Sequence, residues 1–280
     1  MGSMYAAYNP QLTGGRVQWP ESAALAARAG FSGCDVGLVN AIKAGLEPTR
    51  RELAQNHLKP AAVDLPVDFR KDDDTFRQGL AKLGDAASFA AAIGCPRMVT
   101  YILSSSTLPK VEQRKILLDR FRAVAEVLAR SHVRLGLEFL GPLHIRKANP
   151  YEFIWRMDEM LEFAKECGSN CGLLLDVWHW HHAGATVDDV LNAGKDRIVH
   201  VHFNDAAQLP PEEVRDNQRL LPGEGVINLR GFLRALKRIG YEDALSVEVF
   251  GRGLKEMDPA EAAKLGYQAA TRVMTEAGVL

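Results

Sequence analysis

A single-domain α/β fold, the (β/α)8 TIM barrel, is predicted by three observations: chain length, a repeated strand–helix alternation, and a first loop with no phosphate-binding signature. The 280 residues match the usual size of one such barrel. Short apolar or β-branched runs alternate with longer amphipathic segments, the pattern of parallel βα units. Eight runs read as strands, at 4–8, 33–36, 60–65, 97–102, 133–139, 171–177, 197–203 and 244–250. A doubly wound open sheet would carry a glycine-rich phosphate loop after its first strand. Here that loop reads Asn9-Pro10-Gln11-Leu12-Thr13-Gly14-Gly15, with neither a dinucleotide nor a Walker signature.

The helical patterns fall at 20–29, 49–56, 73–92, 111–131, 150–167, 187–193, 229–239 and 259–277. Glycine follows or nearly follows several of them, at Gly30, Gly94, Gly168, Gly194 and Gly240. There it accommodates the left-handed turn that sends the chain back to the sheet. Pro20, Pro150 and Pro259 stand where a first helical turn would begin. No linker or charge block divides the chain, so one barrel is expected over 4–280, with residues 1–3 read as an expression remnant. The segment 206–225, with Pro210-Pro211 inside it, has no clear pattern and follows the seventh strand. A long loop on that face is expected to act as a lid or substrate clamp.

Lys and Arg total 34 against 35 Asp and Glu, a net charge of −1. This balance lacks the footprint of a protein that grips nucleic acid, and no nucleic-acid partner is expected. No apolar run approaches the roughly 18 residues of a membrane span, and no membrane partner is expected either. The start of the chain lacks the blocks of a signal peptide, and four irregularly placed cysteines form no disulfide framework. A reduced, cytoplasmic enzyme is the expectation.

The second half carries the chemistry. The fifth strand closes with Glu138, the sixth with Asp176, the seventh with His202 and the eighth with Glu248. In a parallel barrel these tips form one ring at the mouth. A lone carboxylate at a strand end is ordinarily solvated or capping a turn, but four polar tips on consecutive strands are not coincidental. Three carboxylates buried together repel one another and need positive charge. With an imidazole, the set Glu138, Asp176, His202 and Glu248 describes a site for one divalent metal ion with mostly hard oxygen ligands. It suits Mn2+, Mg2+ or Co2+ better than a structural zinc site, although Zn2+ is also possible. His200 shares the parity of His202 and is expected deeper in the barrel.

In these residues the sequence resembles the xylose isomerase-like barrel superfamily, nearest its tagatose/psicose 3-epimerase and inosose dehydratase branch. The resemblance is dense from Val133 to Gly251. It is carried by Leu137-Glu138-Phe139, Leu175-Asp176-Val177-Trp178-His179, His200-Val201-His202-Phe203-Asn204-Asp205, Arg219-Leu220-Leu221-Pro222-Gly223-Glu224-Gly225 and Val247-Glu248. It implies the same four metal ligands, a preference for Mn2+, a homodimer or homotetramer, and two substrate-binding residues, His179 and Arg219. Trp178 and Trp180 stand as either pocket walls or packing, and His181 and His182 have no assigned role. His144, Arg146 and Lys147 are candidate pocket residues, and Cys167 and Cys171 are read as structural.

A divalent ion chelating a ketone and its neighbouring hydroxyl would acidify the adjacent C–H bond. Glu138 and Glu248, on different sides of the mouth, would then exchange the proton as the catalytic pair of a ketose epimerase or isomerase. Loss of the β-hydroxyl instead would give a dehydratase of inosose or dehydroshikimate type. An abasic-site nuclease of the endonuclease IV kind is a remote alternative, because the second and third strand ends, Cys34-Asp35-Val36-Gly37 and Val63-Asp64-Leu65-Pro66, offer no histidine.

Overall fold

The structure, a computed structural model, describes residues 3–280; two of the three residues read as an expression remnant lie outside the described residues. The barrel strands, parallel to one another, are β1 (Tyr5–Tyr8), β2 (Gly33–Cys34), β3 (Lys59–Pro60 and Val63–Asp64), β4 (Arg97–Ile102), β5 (Arg134–Phe139), β6 (Cys171–Asp176), β7 (Ile198–His202) and β8 (Ala244–Val247). β1 pairs with β8 on one side and β2 on the other, so the sheet is closed. The third strand, expected as one run over 60–65, is split. Lys59–Pro60 pairs with β2, whereas Val63–Asp64 pairs with β4. Pro60 has no N–H to extend a ladder, and the break lets the chain pass from one neighbour to the other.

The helices are α1 (Glu21–Ala29), α2 (Leu38–Ala44), α3 (Leu46–Gln55), α4 (Asp73–Ala92), α5 (Lys110–Ala129), α6 (Leu143–Arg146), α7 (Met157–Cys167), α8 (Val177–His182), α9 (Val187–Ala193), α10 (Leu229–Arg238) and α11 (Pro259–Ala277). Four expectations are corrected. α2 was not predicted, because its Val39 and Ile42 face solvent and blur the apolar period. The helix expected from Pro150 begins only at Met157. Before it, Tyr151–Glu152 pairs antiparallel with Ser105–Ser106, and Phe153 is buried, as suits an aromatic-rich run. Val177 opens α8 rather than ending β6, and Pro20 precedes α1 instead of starting it. Among the described residues no helix is long and apolar enough to cross a membrane.

Two cores result. A large one lies between sheet and helices and includes Phe121, Phe163, Phe232 and Leu236. Inside the barrel lie two small clusters, Tyr5, Ala7, Ala61 and Ala244 in one and Ala62, Val99 and Leu174 in the other. Strand register sets the level of the mouth: His202 is paired with Asp176 of β6 and Ser246 of β8, and Glu138 is paired with Tyr101 of β4.

The segment 206–225 is a pinned wall rather than a loose lid. Asp205–Ala206 pairs antiparallel with Arg219–Leu220. The buried Asp205 carboxylate accepts from the backbone N–H groups of Gly223 (3.0 Å), Gly225 (2.9 Å) and Ile227 (3.0 Å). A side chain at position 225 has no room, since a Cβ there would lie 2.2 Å from the Ala206 carbonyl oxygen. Asp205→Ala leaves those N–H groups unpaired. Urea unfolding is expected to show a loss of about 3 kcal/mol, with cleavage by added protease confined to this segment. Unchanged stability would show that the carboxylate does not hold the wall.

Candidate metal centre

Asp176 is the last residue of β6 and the N-cap of α8, so one carboxylate serves two elements. Its Oδ1 accepts from the backbone N–H of Trp178 (2.7 Å) and, more weakly, of His179 (3.4 Å). Its Oδ2 turns to the mouth, where Arg219 Nη1 donates at 2.7 Å. Around it, His202 Nδ1 stands 3.8 Å from Asp176 Oδ2, 3.8 Å from Glu138 Oε1 and 3.1 Å from Glu248 Oε2. One donor atom from each of Glu138, Asp176, His202 and Glu248 falls within 4.8 Å of the others. Glu248 lies just past β8, and the other three end their strands or stand one residue short of the end.

The donor set fits a divalent cation on two observations. Glu138 Oε1 and His202 Nδ1 are buried and have no hydrogen-bond partner among the described residues, a costly arrangement unless something else satisfies them. The protonation pattern is that of carboxylates short of positive charge. Burial, reinforced by Asp176, holds the Glu138 carboxyl well above the usual carboxylate range. Burial alone would lower His202, yet Glu248, Glu138 and Asp176 push it up to about 10. Burial would also raise Asp176, but Arg219 and the neighbouring imidazoles hold it below its ordinary value.

Arg219 supplies the positive charge that the chain itself provides. It is fully buried, with its guanidinium 5.0 Å from the Trp178 ring centre and 4.5 Å from that of Phe250. Nη1 also donates to Glu248 Oε2 at 2.8 Å, Nε donates to Asp216 Oδ1 at 3.0 Å, and Nη2 lies 3.1 Å from His179 Nε2. Burial lowers the His179 pKa to about 4, so its imidazole is neutral at pH 7 and accepts from the arginine. Asn204 braces the set by donating to both Asp176 oxygens and to the Glu248 carbonyl. Gly141 permits the approach of α8, for a Cβ there would stand 2.5 Å from the His179 carbonyl oxygen.

Glu138, His179, His202, Arg219 and Glu248 line a cavity of about 650 Å3. Of the other candidates, His144 lines it as well. Arg146 instead pairs with Glu152 and lies over Trp155, while Lys147 is exposed. Trp178 and Trp180 are packing residues, one against Arg219 and the other against Phe232. His181 and His182 border a neighbouring hollow. His200 lies deeper, as expected, with Nε2 2.9 Å from Ser246 Oγ. Cys167 and Cys171 are buried free thiols. Sequence reasoning missed Asp216, whose only signal was its place three residues before Arg219, and also the acidic Asp35 and Asp64, which obey the same strand-end rule as the ligands.

The match of a family profile described as xylose isomerase-like TIM barrel spans residues 23–276. The chain belongs to this family. Among its relatives is the inosose isomerase of Halalkalibacterium halodurans, 26% identical over 234 residues that cover 82% of this chain and 80% of the relative. Among solved structures, a xylose isomerase domain protein from Alicyclobacillus acidocaldarius superposes with a TM-score of 0.90 at 27% identity, covering 99% of this chain and 100% of that one. The IolI protein, solved with a binding zinc atom, shares the fold with a TM-score of 0.83 at 21% identity, over 98% and 99% of the two chains. This member of the xylose isomerase-like family is an enzyme.

Two outcomes follow for this family member. The neighbouring carboxylates push His202 up to about 10, so a cation that binds its ring nitrogen would displace a proton. Calorimetric titration with Zn2+ or Mn2+ in buffers of different ionisation enthalpy is expected to show release of about one proton or more near pH 7. Affinity should rise about tenfold per pH unit below that pKa; a dissociation constant that does not vary with pH would contradict this. Gly141→Ala forces α8 outward and is expected to cost about 2 kcal/mol of stability and to weaken cation affinity, both read on the purified variant.

Proposed function

We propose that this enzyme is a divalent metal-dependent isomerase or epimerase of a keto-sugar or keto-cyclitol, acting by proton transfer next to a carbonyl. The observation that carries this reading is the convergence of Glu138, Asp176, His202 and Glu248 on one point of the cavity floor. Mn2+ is the cation proposed first on the hardness of three carboxylate donors, with Mg2+, Co2+ and Zn2+ as substitutes. When bound, the ion supplies electrophilic polarisation of the substrate carbonyl and stabilises the enediolate oxygen.

The chain's own residues do the rest. Glu138 and Glu248 come from β5 and from the end of β8, so they flank a substrate from two sides. One carboxylate takes the proton from carbon and the other returns one, to the opposite face for an epimerase or to the adjacent carbon for an isomerase. Burial and the neighbouring Asp176 raise the Glu138 carboxyl above its ordinary range, which favours it for the proton-returning role. His179 and Arg219, fixed against each other and against Asp176, orient the substrate oxygens and offset the negative charge that develops. The H. halodurans relative supports a keto-cyclitol among the substrates to be tried first. A dehydratase is the second reading. It is favoured by His144 and Asp64, acid-capable groups of the cavity outside the ligand set, since loss of a hydroxyl needs an acid at the leaving oxygen.

Metal-loaded enzyme incubated in D2O with a panel of ketoses and keto-cyclitols is expected to place deuterium on the carbon beside the carbonyl. Water loss would instead appear as a new enone chromophore. Glu248→Gln is expected to lower exchange at least a hundredfold with a modest loss of metal. Absence of both exchange and chromophore across the panel would refute proton-abstraction chemistry.

A further inference from the structure

The mouth has a second lobe. A hollow of about 230 Å3 bordered by Asn9, Gln11, Gln18, Asp35 and Asp64 meets the main cavity at Asp64, Val99, His202 and Glu248. Two of its acids are held differently. Asp35 is tied down, accepting from Asn9 Nδ2 and from Ser246 Oγ, each at 2.8 Å. Asp64, at the tip of β3, is exposed to solvent at the mouth, and its carboxylate has no protein hydrogen-bond or ion-pair partner among the described residues. The side-chain amide of Gln11 is likewise uncommitted, and both it and Asp64 border the two lobes. At their junction stands the buried His202 ring, whose Nδ1 lies 3.1 Å from Glu248 Oε2, with Glu138 Oε1 on the floor of the larger lobe. The lobe therefore continues the site already described.

Its charge is one-sided. Among the described residues no lysine borders either lobe, and the single arginine is Arg219, already shared by Asp176, Asp216 and Glu248. A divalent cation and one guanidinium carry less positive charge than Asp35, Asp64, Glu138, Asp176, Asp216 and Glu248 carry negative charge. A phosphate or carboxylate on the substrate would enter a negative field with no fork of donors to receive it. Hydroxyl groups, in contrast, donate readily to a free carboxylate and exchange hydrogen bonds with a free amide.

We propose that the smaller lobe is a subsite for the uncharged, polyhydroxylated end of the substrate and excludes phosphorylated or carboxylated analogues, with Asp64 as the discriminating residue and Gln11 as its hydroxyl-binding partner. The assignment rests on the keto-sugar or keto-cyclitol reading for the end that meets the cation. It narrows that reading to neutral polyols and argues against a dehydroshikimate-like substrate, which carries a carboxylate.

The test is calorimetric binding of two probes, 2-keto-myo-inositol and 3-dehydroshikimate, to the metal-loaded full chain. The neutral keto-cyclitol is expected to bind at least tenfold more tightly. Asp64→Asn should narrow that ratio about threefold to tenfold by strengthening the anion, as removal of one nearby like charge requires. Gln11→Ala should weaken the keto-cyclitol by about threefold to tenfold and the anion less. Melting curves of both variants should match the parent. Equal or tighter binding of the anion, equal loss of both probes in Asp64→Asn, or no binding of the keto-cyclitol would overturn the subsite. Deuterium exchange on the bound keto-cyclitol separates the two ideas. Charge discrimination without exchange sinks the reaction and leaves the subsite, whereas exchange without discrimination does the reverse.

Discussion

The structure turns on the burial of three carboxylates and one imidazole at a single level of the barrel mouth. Ionised groups taken from water repel one another and lose hydration, and the cost is met only by opposite charge placed among them. The chain meets part of it with Arg219, which reaches Asp176 and Glu248 from the wall after β7, and part with the protonated ring of His202. Among the buried polar atoms with no hydrogen-bond partner among the described residues are Glu138 Oε1 and His202 Nδ1, 3.8 Å apart. A shortage of positive charge among buried carboxylates is what a divalent cation would offset, and neighbouring features hold the cluster in place.

Asp176 shows how tightly the arrangement is bound to the fold. One oxygen caps α8, so the helix that carries His179 begins only where the carboxylate permits. The other oxygen takes Arg219, whose own wall is pinned by Asp205. Capping and site formation are ordinarily weighed as rival explanations for an aspartate at a strand end. Here the same side chain does both, because its two oxygens face opposite ways. Gly141 belongs to the same construction: without a side chain it lets α8 settle against the loop after β5 and so fixes the height of His179.

The balance of charge also gives the cavity a direction. The larger lobe holds Arg219, His144 and His179, whereas the polar side chains described in the lobe toward β2 and β3 are acids and amides apart from His202 at the junction. A small substrate lying across both would meet electrophilic groups at one end and hydroxyl acceptors at the other. Specificity in such a site comes as much from what the field repels as from what the contacts attract.

Much of this was legible in the amino-acid order. Alternating strand and helix patterns, eight times over, leave little choice but a closed parallel barrel, and apolar runs that end in a charged residue point to its mouth. The four polar tips followed from that rule, and Arg219 and His179 from resemblance. Three-dimensional packing decided the remainder. The break in β3 arises because Pro60 cannot continue a ladder, and the start of α7 moved from Pro150 to Met157 because Tyr151–Glu152 found a distant strand partner. The clustering of Asp35 and Asp64 with Glu248, and the stacking of Arg219 between Trp178 and Phe250, join residues far apart in the chain. Local sequence sets each residue's periodicity and charge. Which charges share one solvent-poor space depends on barrel closure and strand register, and those exist only once the chain is folded.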